Sequence, residues 1–292
     1  MMPIQSPIEL QTQLQRCVPA SDYTYEELTD IYNQTRVDYI VPMPMNAKRM
    51  REYVNNYDVD LPSSVVAMYD DTITGVGMLG LRDNRAWITR LGIIPTGRRL
   101  RNGSFLMDAL IDQARRNDAD VIQLEVIDGN EPAYNMFVKY GFQETRKLAI
   151  IRRPPSPPQF ENPLPAANII TLTDDEIMHC LANRPSGMSW VEETPSMVKT
   201  EKLFGYRLEA QNGESGWIVF YSSAFQMGNF VVDATSDSYN DIVLSLLHNL
   251  HRRHGIKDTK IENVPLDHPL LELFKQAGYI ESFRRIEMIK HL

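Results

Sequence analysis

The sequence predicts an α+β protein built from two domains in tandem, and three observations carry that prediction. Its 292 residues exceed what one ordinary core organises and suit two domains of roughly 150 residues each. Six of the 18 prolines crowd into Pro154–Pro165. Proline lacks a backbone donor and fixes φ, so this run reads as an extended linker between domains spanning 1–153 and 166–292. The ends of the two halves also align without a gap: the segment from Asn130 to Glu144 lies over that from Asp267 to Glu281 at an offset of 137 residues, matching Pro132 with Pro269, Phe137 with Phe274, Gly141 with Gly278 and Glu144 with Glu281, and the same offset brings Glu125 onto Glu262. An offset of that size indicates duplication of a whole domain, since solenoids repeat every 20–50 residues.

Composition narrows the function classes. Hydrophobic residues at 43% and charged residues at 23% are those of a globular chain, not of a disordered, collagen-like or coiled-coil one. A net charge of −8 argues against a nucleic-acid or anionic-membrane partner. Cys17 and Cys180 stand far apart, with no pairing that would make a disulfide framework or a zinc site. The first seven residues lack a basic and then apolar leader and no run of 18 apolar residues occurs, which predicts a cytoplasmic address.

In the first half, Tyr25–Tyr39 and Ala47–Tyr57 have helical periodicity. Ser64–Tyr69, Thr74–Leu81 and Trp87–Ile94 read as strands joined by polar turns at Asp70-Asp71 and Asp83-Asn84. Leu106, Leu110 and Ala114 recur at helical spacing in Gly103–Arg116. Val121–Val126 is an apolar strand interrupted by Gln123 and Glu125. A short helix opens with Asn130 as cap and Pro132 in its first turn, ends at Gly141, and Phe142–Ile151 forms the last strand.

Between the third of those strands and the long helix lies Pro95-Thr96-Gly97-Arg98-Arg99-Leu100-Arg101-Asn102-Gly103-Ser104. A turn running into a helix N-terminus offers N–H groups and the positive end of the helix dipole, which suits a pyrophosphate, and three arginines in four residues add positive charge. On this segment alone a solvated basic turn capped by Asn102 fits as well.

Taken with the order of elements, these motifs resemble the GNAT superfamily of acyl-coenzyme A dependent N-acyltransferases. The family's fourth strand ends in an apolar-x-Val-x-Pro stretch, similar to Leu91-Gly92-Ile93-Ile94-Pro95. Its loop pattern (Gln/Arg)-x-x-Gly-x-(Gly/Ala) is similar to Arg98–Gly103, with Arg101 in place of the middle glycine. Its later helix carries Asn-x-x-Ala-x-x-x-Tyr-x-x-x-Gly-Phe, matched by Asn130, Ala133, Gly141 and Phe142. The resemblance covers residues 20–153 in element order and implies tandem GNAT domains, each a mixed, mostly antiparallel sheet flanked by helices. It implies acetyl-CoA as acyl-donor substrate, bound by Leu91, Gly92, Ile93, Arg98, Arg99, Leu100, Arg101, Asn102, Gly103, Ser104 and Asn130, without a metal. It implies an acyltransferase acting on a primary amine of a small molecule or peptide, working as a monomer or homodimer.

The tyrosine that commonly protonates the departing thiolate in that family falls at Phe137, which has no proton to give. Tyr134 and Tyr140, three residues to either side, are the alternatives, and packing of both phenols is the competing reading. Glu125 in Leu124-Glu125-Val126 resembles the glutamate base of ribosomal-protein N-terminal acetyltransferases; a strand carboxylate paired with an arginine is its competing reading. Tyr39, Met43, Met45, Met50 and Tyr53 would line an acceptor cleft or form core, and the acidic surface favours a cationic acceptor. In the second half the corresponding loop, from Asp233 to Asp241, has three carboxylates and no glycine or basic residue. It reads as a helix start capped by Ser236 or Asp237 and marks a degenerate copy. His248, His251 and His254 share a helix there but lack a carboxylate partner for metal binding. The absence of tyrosine at Phe137 also leaves a second class of function, a catalytically silent module that binds acyl-CoA or a partner protein.

Overall fold

The computed structural model describes residues 15–292 except Arg101, Pro185, Ser186 and Ser236. The chain forms two compact units. One holds Val59–Ile122, the described residues before Asn55, and Leu292; the other holds Asn55–Asp58 and Gln123–His291.

In the first unit, strands β1 (Gln15–Pro19), β2 (Val65–Tyr69), β3 (Thr72–Arg82) and β4 (Arg85–Ile93) lie in sequence order, every neighbour antiparallel. The two hairpins turn at Asp70 and Asp83, both in the left-handed region that tight hairpins require and that Asp tolerates. Helix α1 (Tyr25–Gln34) starts in a capping box between Thr24 and Glu27, and α2 (Ala47–Asn56) follows a loop. Helix α3 (Asn102–Arg116) buries Leu106, Met107, Leu110 and Ala114, the stripe its periodicity predicts.

Helix α1 stops five residues earlier than the periodicity suggests. Thr35 turns its hydroxyl back onto the Tyr32 carbonyl at 2.7 Å. Val37 and Ile40, which would extend the apolar stripe, instead stand 72% and 58% exposed in the following loop.

In the second unit the elements run β5 (Val121–Ile127), α4 (Glu131–Lys139), β6 (Gln143–Arg153), β7 (Asn168–Thr171), α5 (Asp174–Ala182), α6 (Thr194–Val198), β8 (Leu203–Glu209), β9 (Ser215–Ser222), β10 (Gln226–Thr235), α7 (Tyr239–Arg253), β11 (Asp258–Pro265), α8 (Pro269–Gln276) and β12 (Ile280–His291). The strand order is β5-β12-β6-β11-β10-β9-β8-β7. From β12 to β7 the neighbours are antiparallel apart from β10 and β11, which run parallel.

That order contains an exchange the repeat does not announce. The final strand of the second copy, β12, lies between β5 and β6 of the first, while β6 lies between β12 and β11. The pairing is long, from Ile280 opposite Arg152 to Ile289 opposite Gln143. Strands β6 and β12 share a burial pattern, an exposed first half followed by a continuous buried run, so either copy can complete the other's sheet. The compact units and the duplicated segments are therefore different partitions of the chain.

The proline-rich segment runs against the second unit. Arg153, buried, donates to the Ser156, Pro157 and Ala277 carbonyls at 2.9 Å each. Phe160 and Leu164 pack on the core, with Phe160 edge-on to His248.

The three histidines take separate roles. His251 bonds the Tyr279 hydroxyl at 2.9 Å and His254 that of Tyr206 at 2.8 Å. Burial pushes the His251 imidazole down to about 3, so it is neutral. No metal-holding cluster exists among the described residues, and no helix among them is long and apolar enough to cross a membrane.

The exchange makes a direct prediction. Residues 1–153 expressed alone leave β6 without either neighbour, and residues 166–292 leave β12 without either of its own and β11 with β10 alone. Neither half should give the far-UV and near-UV circular dichroism of a folded domain, and co-expression should restore both signals. Two independently folded halves would contradict the exchange.

Candidate active site

The site is built first on an irregularity in β4. Met78 faces Thr89 and Val76 faces Gly92, so Arg90 and Leu91 together oppose Gly77. The extra residue is absorbed by Arg90, whose φ of 53° is left-handed. Such a bulge bends the strand and re-aims its side chains.

Helix α1 approaches the bend closely. A Cβ added to Gly92 would stand 2.4 Å from the Thr35 hydroxyl oxygen and 2.7 Å from its Cβ, so only glycine lets the helix end sit there. Arg36 donates through Nη2 to the Leu91 carbonyl at 3.0 Å, capturing an oxygen of the bulge. The loop after α1 is held by Asn33, which donates to the Met45 carbonyl at 2.9 Å and accepts from the Met45 N–H at 3.0 Å.

Around the bulge stands a wall of aromatic rings and arginines. Arg90 lies 4.0 Å from the Tyr53 ring centroid and 5.4 Å from that of Tyr32, and Arg36 lies 4.2 Å from Tyr39 and 5.1 Å from Tyr32. Tyr32 donates to the Met43 carbonyl at 3.2 Å, and Tyr53 and Thr89 share a hydroxyl–hydroxyl bond of 2.5 Å. Met50 and Tyr53 are core, whereas Tyr39, Met43 and Met45 are half-buried.

From β4 the chain enters a 3-10 turn, Pro95–Leu100, and then α3. The linchpin is Asn102. Fully buried, it donates to the Gly97 carbonyl at 2.9 Å and accepts from the Gln15 side chain at 2.8 Å. Gly97 fits this arrangement because a Cβ there would meet Asn102 and Thr74 at 3.0 Å. The Asn102 amide therefore faces inward and braces the loop, while the backbone of the turn and of Gly103 and Ser104 forms the approach to the helix N-terminus.

Arg98 is engaged in a bidentate pair with Asp38, 2.6 Å on each arm, which holds the Asp38 carboxyl below its usual range. Its charge ties the loop after α1 to the turn. The backbone of Arg99 and Leu100 belongs to that turn; their side chains and all of Arg101 lie outside the described residues. Leu91, Gly92 and Ile93 are half-buried at the end of β4. All the loop residues and this wall belong to the first unit.

Glu125, Asn130 and Tyr134 belong to the second unit. Glu125 is half-buried on β5 between the buried Leu124 and Val126. Its counterpart Glu262 is ion-paired with Arg285 at 2.9 Å and Lys260 at 2.6 Å. Asn130 occupies the cap position of α4 without a side-chain capping bond, so it caps through its carbonyl, which receives the Tyr134 N–H at 3.0 Å. The Tyr134 hydroxyl donates to Glu144 at 2.6 Å, and that carboxylate pushes the phenol above its ordinary range. Phe137 is 6% exposed and packs against Phe142 at 6.0 Å between ring centroids, so the family's usual acid position is filled by a core residue.

Neither cysteine is set up as a nucleophile. Burial pushes Cys17 up to about 11 and raises Cys180 as well.

The second copy keeps the strand irregularity without the anion-facing chemistry. Strand β10 carries a bulge with Asn229 at φ 52°, and its parallel pairing with β11 stops at Gly228. Asp233, expected in the loop, lies in β10 opposite Trp217; Asp237 follows the strand and Asp241 lies in the first turn of α7, whereas α3 has no acidic residue in its first turn. The expected cap by Asp237 is replaced by Ser238, which makes no side-chain capping bond, and Ser236 lies outside the described residues.

Arg36, Arg90, Tyr32 and Thr89 are the wall residues the sequence reading passed over. Arg90 interrupts a largely apolar strand, an anomaly that marks it, but its direction depends on a bulge that alternation does not encode.

Residues 25–142 match the Acetyltransferase (GNAT) family model. Among solved structures, a GCN5-related N-acetyltransferase from Sphaerobacter thermophilus is 14% identical with a TM-score of 0.69, covering 95% of each chain. A tandem GNAT protein from the clavulanic acid biosynthesis pathway is 16% identical with a TM-score of 0.65, covering 95% of this chain and 98% of its own. No curated protein matches the sequence significantly. The family match lies within the first copy, and the chain as a whole has the tandem GNAT fold.

Asn102→Ala should remove the buried donor to the Gly97 carbonyl and the bond from the Gln15 amide, costing about 1–3 kcal/mol of stability. Amide hydrogen exchange should accelerate selectively over residues 94–104. An exchange rate there equal to wild type would show that Asn102 does not brace the loop.

Proposed function

We propose that the protein transfers an acetyl or short acyl group from acyl-CoA to a primary amine, and that the first copy binds the donor. The observation that carries this reading is the turn before α3: a buried side chain braces it from within, its helix start has no acidic residue, and its backbone N–H groups are the natural partners of a pyrophosphate. The family match ends at residue 142 and so falls on the same copy. The second copy offers three carboxylates around the equivalent turn and would repel the same anion.

In the reaction the amine nitrogen attacks the thioester carbonyl carbon, the C–N bond forms, the C–S bond breaks, and the amine proton leaves while the sulfur gains one. The bulged end of β4 would align the pantetheine and offer a strand N–H to the carbonyl oxygen. Glu125 is proposed as the base, by resemblance. Tyr134, kept protonated by its bond to Glu144, is proposed as the proton source for sulfur, since Phe137 is committed to the core. That commitment also supports the second reading, a silent module that binds acyl-CoA without turning it over.

Free-thiol release from acetyl-CoA in the presence of a mixed amine library separates the two. Amine-dependent release is the expected outcome, and Glu125→Gln should lower kcat by roughly 10²–10⁴-fold with little change in coenzyme A affinity. Coenzyme binding with no release across the library would establish the silent module instead, and a loss below threefold in Glu125→Gln would remove Glu125 from the mechanism.

A further inference from the structure

Resting on the acyl-transfer reading, we infer that the acceptor amine carries a carboxylate and that Arg36 is the residue that grips it. The overall charge of −8 points the other way, toward a cationic acceptor. The groups at the wall decide the matter locally, because recognition in a partly dry site depends on charges a few ångströms away and distant surface charges are screened.

Arg36 makes a single hydrogen bond with its five N–H donors, to the Leu91 carbonyl. Its Nε is buried with no hydrogen-bond partner, and none of the ion pairs among the described residues includes it. A guanidinium is always charged, and buried donors are normally satisfied, so a fork with this much open capacity fits an acceptor that arrives from outside. The open group stands beside the Leu91 carbonyl of the β4 bulge, where the fold presents its reacting end.

A second cation stands nearby. The Arg36 and Arg90 guanidinium carbons lie 5.1 and 5.4 Å from the same Tyr32 ring centroid. Arg90 also donates to the Tyr32 hydroxyl at 3.5 Å, so of the two guanidinium groups at this ring Arg36 is the one argued to meet the ligand. A carboxylate meets the planar fork of arginine in two parallel bonds, and so fixes the amine of the same molecule relative to β4.

The flanks are apolar or flat. Tyr39 lies against Arg36, Met43 and Met45 line the same loop, and Val37 and Ile40 are exposed beside it. The chemistry that fits is a small amino acid-like molecule: a primary amine and a carboxylate on an apolar or aromatic frame. Polyamines and simple cationic amines are disfavoured.

The experiment compares matched acceptors with acetyl-CoA: L-phenylalanine against phenethylamine and L-phenylalaninamide, and L-lysine against cadaverine. Within each set the carboxylated member should have the higher kcat/KM, by roughly tenfold to a hundredfold, the size of a charge-assisted hydrogen bond. Arg36→Gln should bring that ratio close to one through KM, and Arg36→Lys should restore part of it. The ratio is read within one protein sample, so general damage to the variant cancels. Equal or better turnover of the amines without a carboxylate, or a ratio unmoved by Arg36→Gln, would overturn the inference while leaving acyl transfer standing. If no amine supports thiol release, acyl transfer itself fails, and thermal unfolding decides the rest. Stabilisation by L-phenylalanine but not phenethylamine, lost in Arg36→Gln, would uphold the carboxylate site, and no stabilisation by any of them would reject it.

Discussion

One extra residue in β4 is the constraint on which the candidate site depends. With Arg90 at a left-handed φ, the regular ladder breaks between Thr89 and Gly92, and the Leu91 carbonyl takes its donor from Arg36. Arg36 reaches it from the end of α1, and Gly92 lets that end come within contact. The early stop of α1, the orientation of the tyrosine wall and the start of the turn before α3 all follow from accommodating that bend. Strain held in one residue is offset by packing from three elements, an arrangement suited to a site that must stay in place while substrates come and go.

The two copies show how one architecture divides its labour. Both keep the bulge in the equivalent strand, at Arg90 and at Asn229, because the bulge belongs to the fold. They differ in charge around the turn that follows: arginines and a buried asparagine brace in one, three carboxylates in the other. Glu262 shows the settled fate of the duplicated strand carboxylate, an ion pair with Arg285 and Lys260. The β6–β12 exchange gives the second copy a structural task, since its last strand lies beside β5 in the sheet.

Much of this was legible in the residues, and what was not has a physical reason. The elements of the first half fall where periodicity and turn chemistry place them, because hairpins at Asp70 and Asp83 and the α3 stripe are local signals. The duplication was legible in the gapless match of Pro132, Phe137 and Gly141 with Pro269, Phe274 and Gly278. The exchange was hidden because β6 and β12 have interchangeable patterns, and pairing between strands this far apart leaves no mark in either. Asn102 was legible as a loop residue, but its inward turn depends on Gln15, 87 positions away. Arg98 looked like a phosphate ligand by charge, yet spends its fork on Asp38, a partner that only the folded chain brings near. Arg36 and Arg90 belong together solely through Tyr32 and the bulge, a meeting that no spacing encodes.

The central claim is that the turn before α3, and not its counterpart before α7, receives the pyrophosphate of the acyl donor. Hydrogen-exchange mass spectrometry of the intact protein with and without coenzyme A reads both turns in one experiment. The account predicts slowed exchange over residues 97–107 and no change over residues 233–243. Protection at residues 233–243 with none at 97–107 would contradict it.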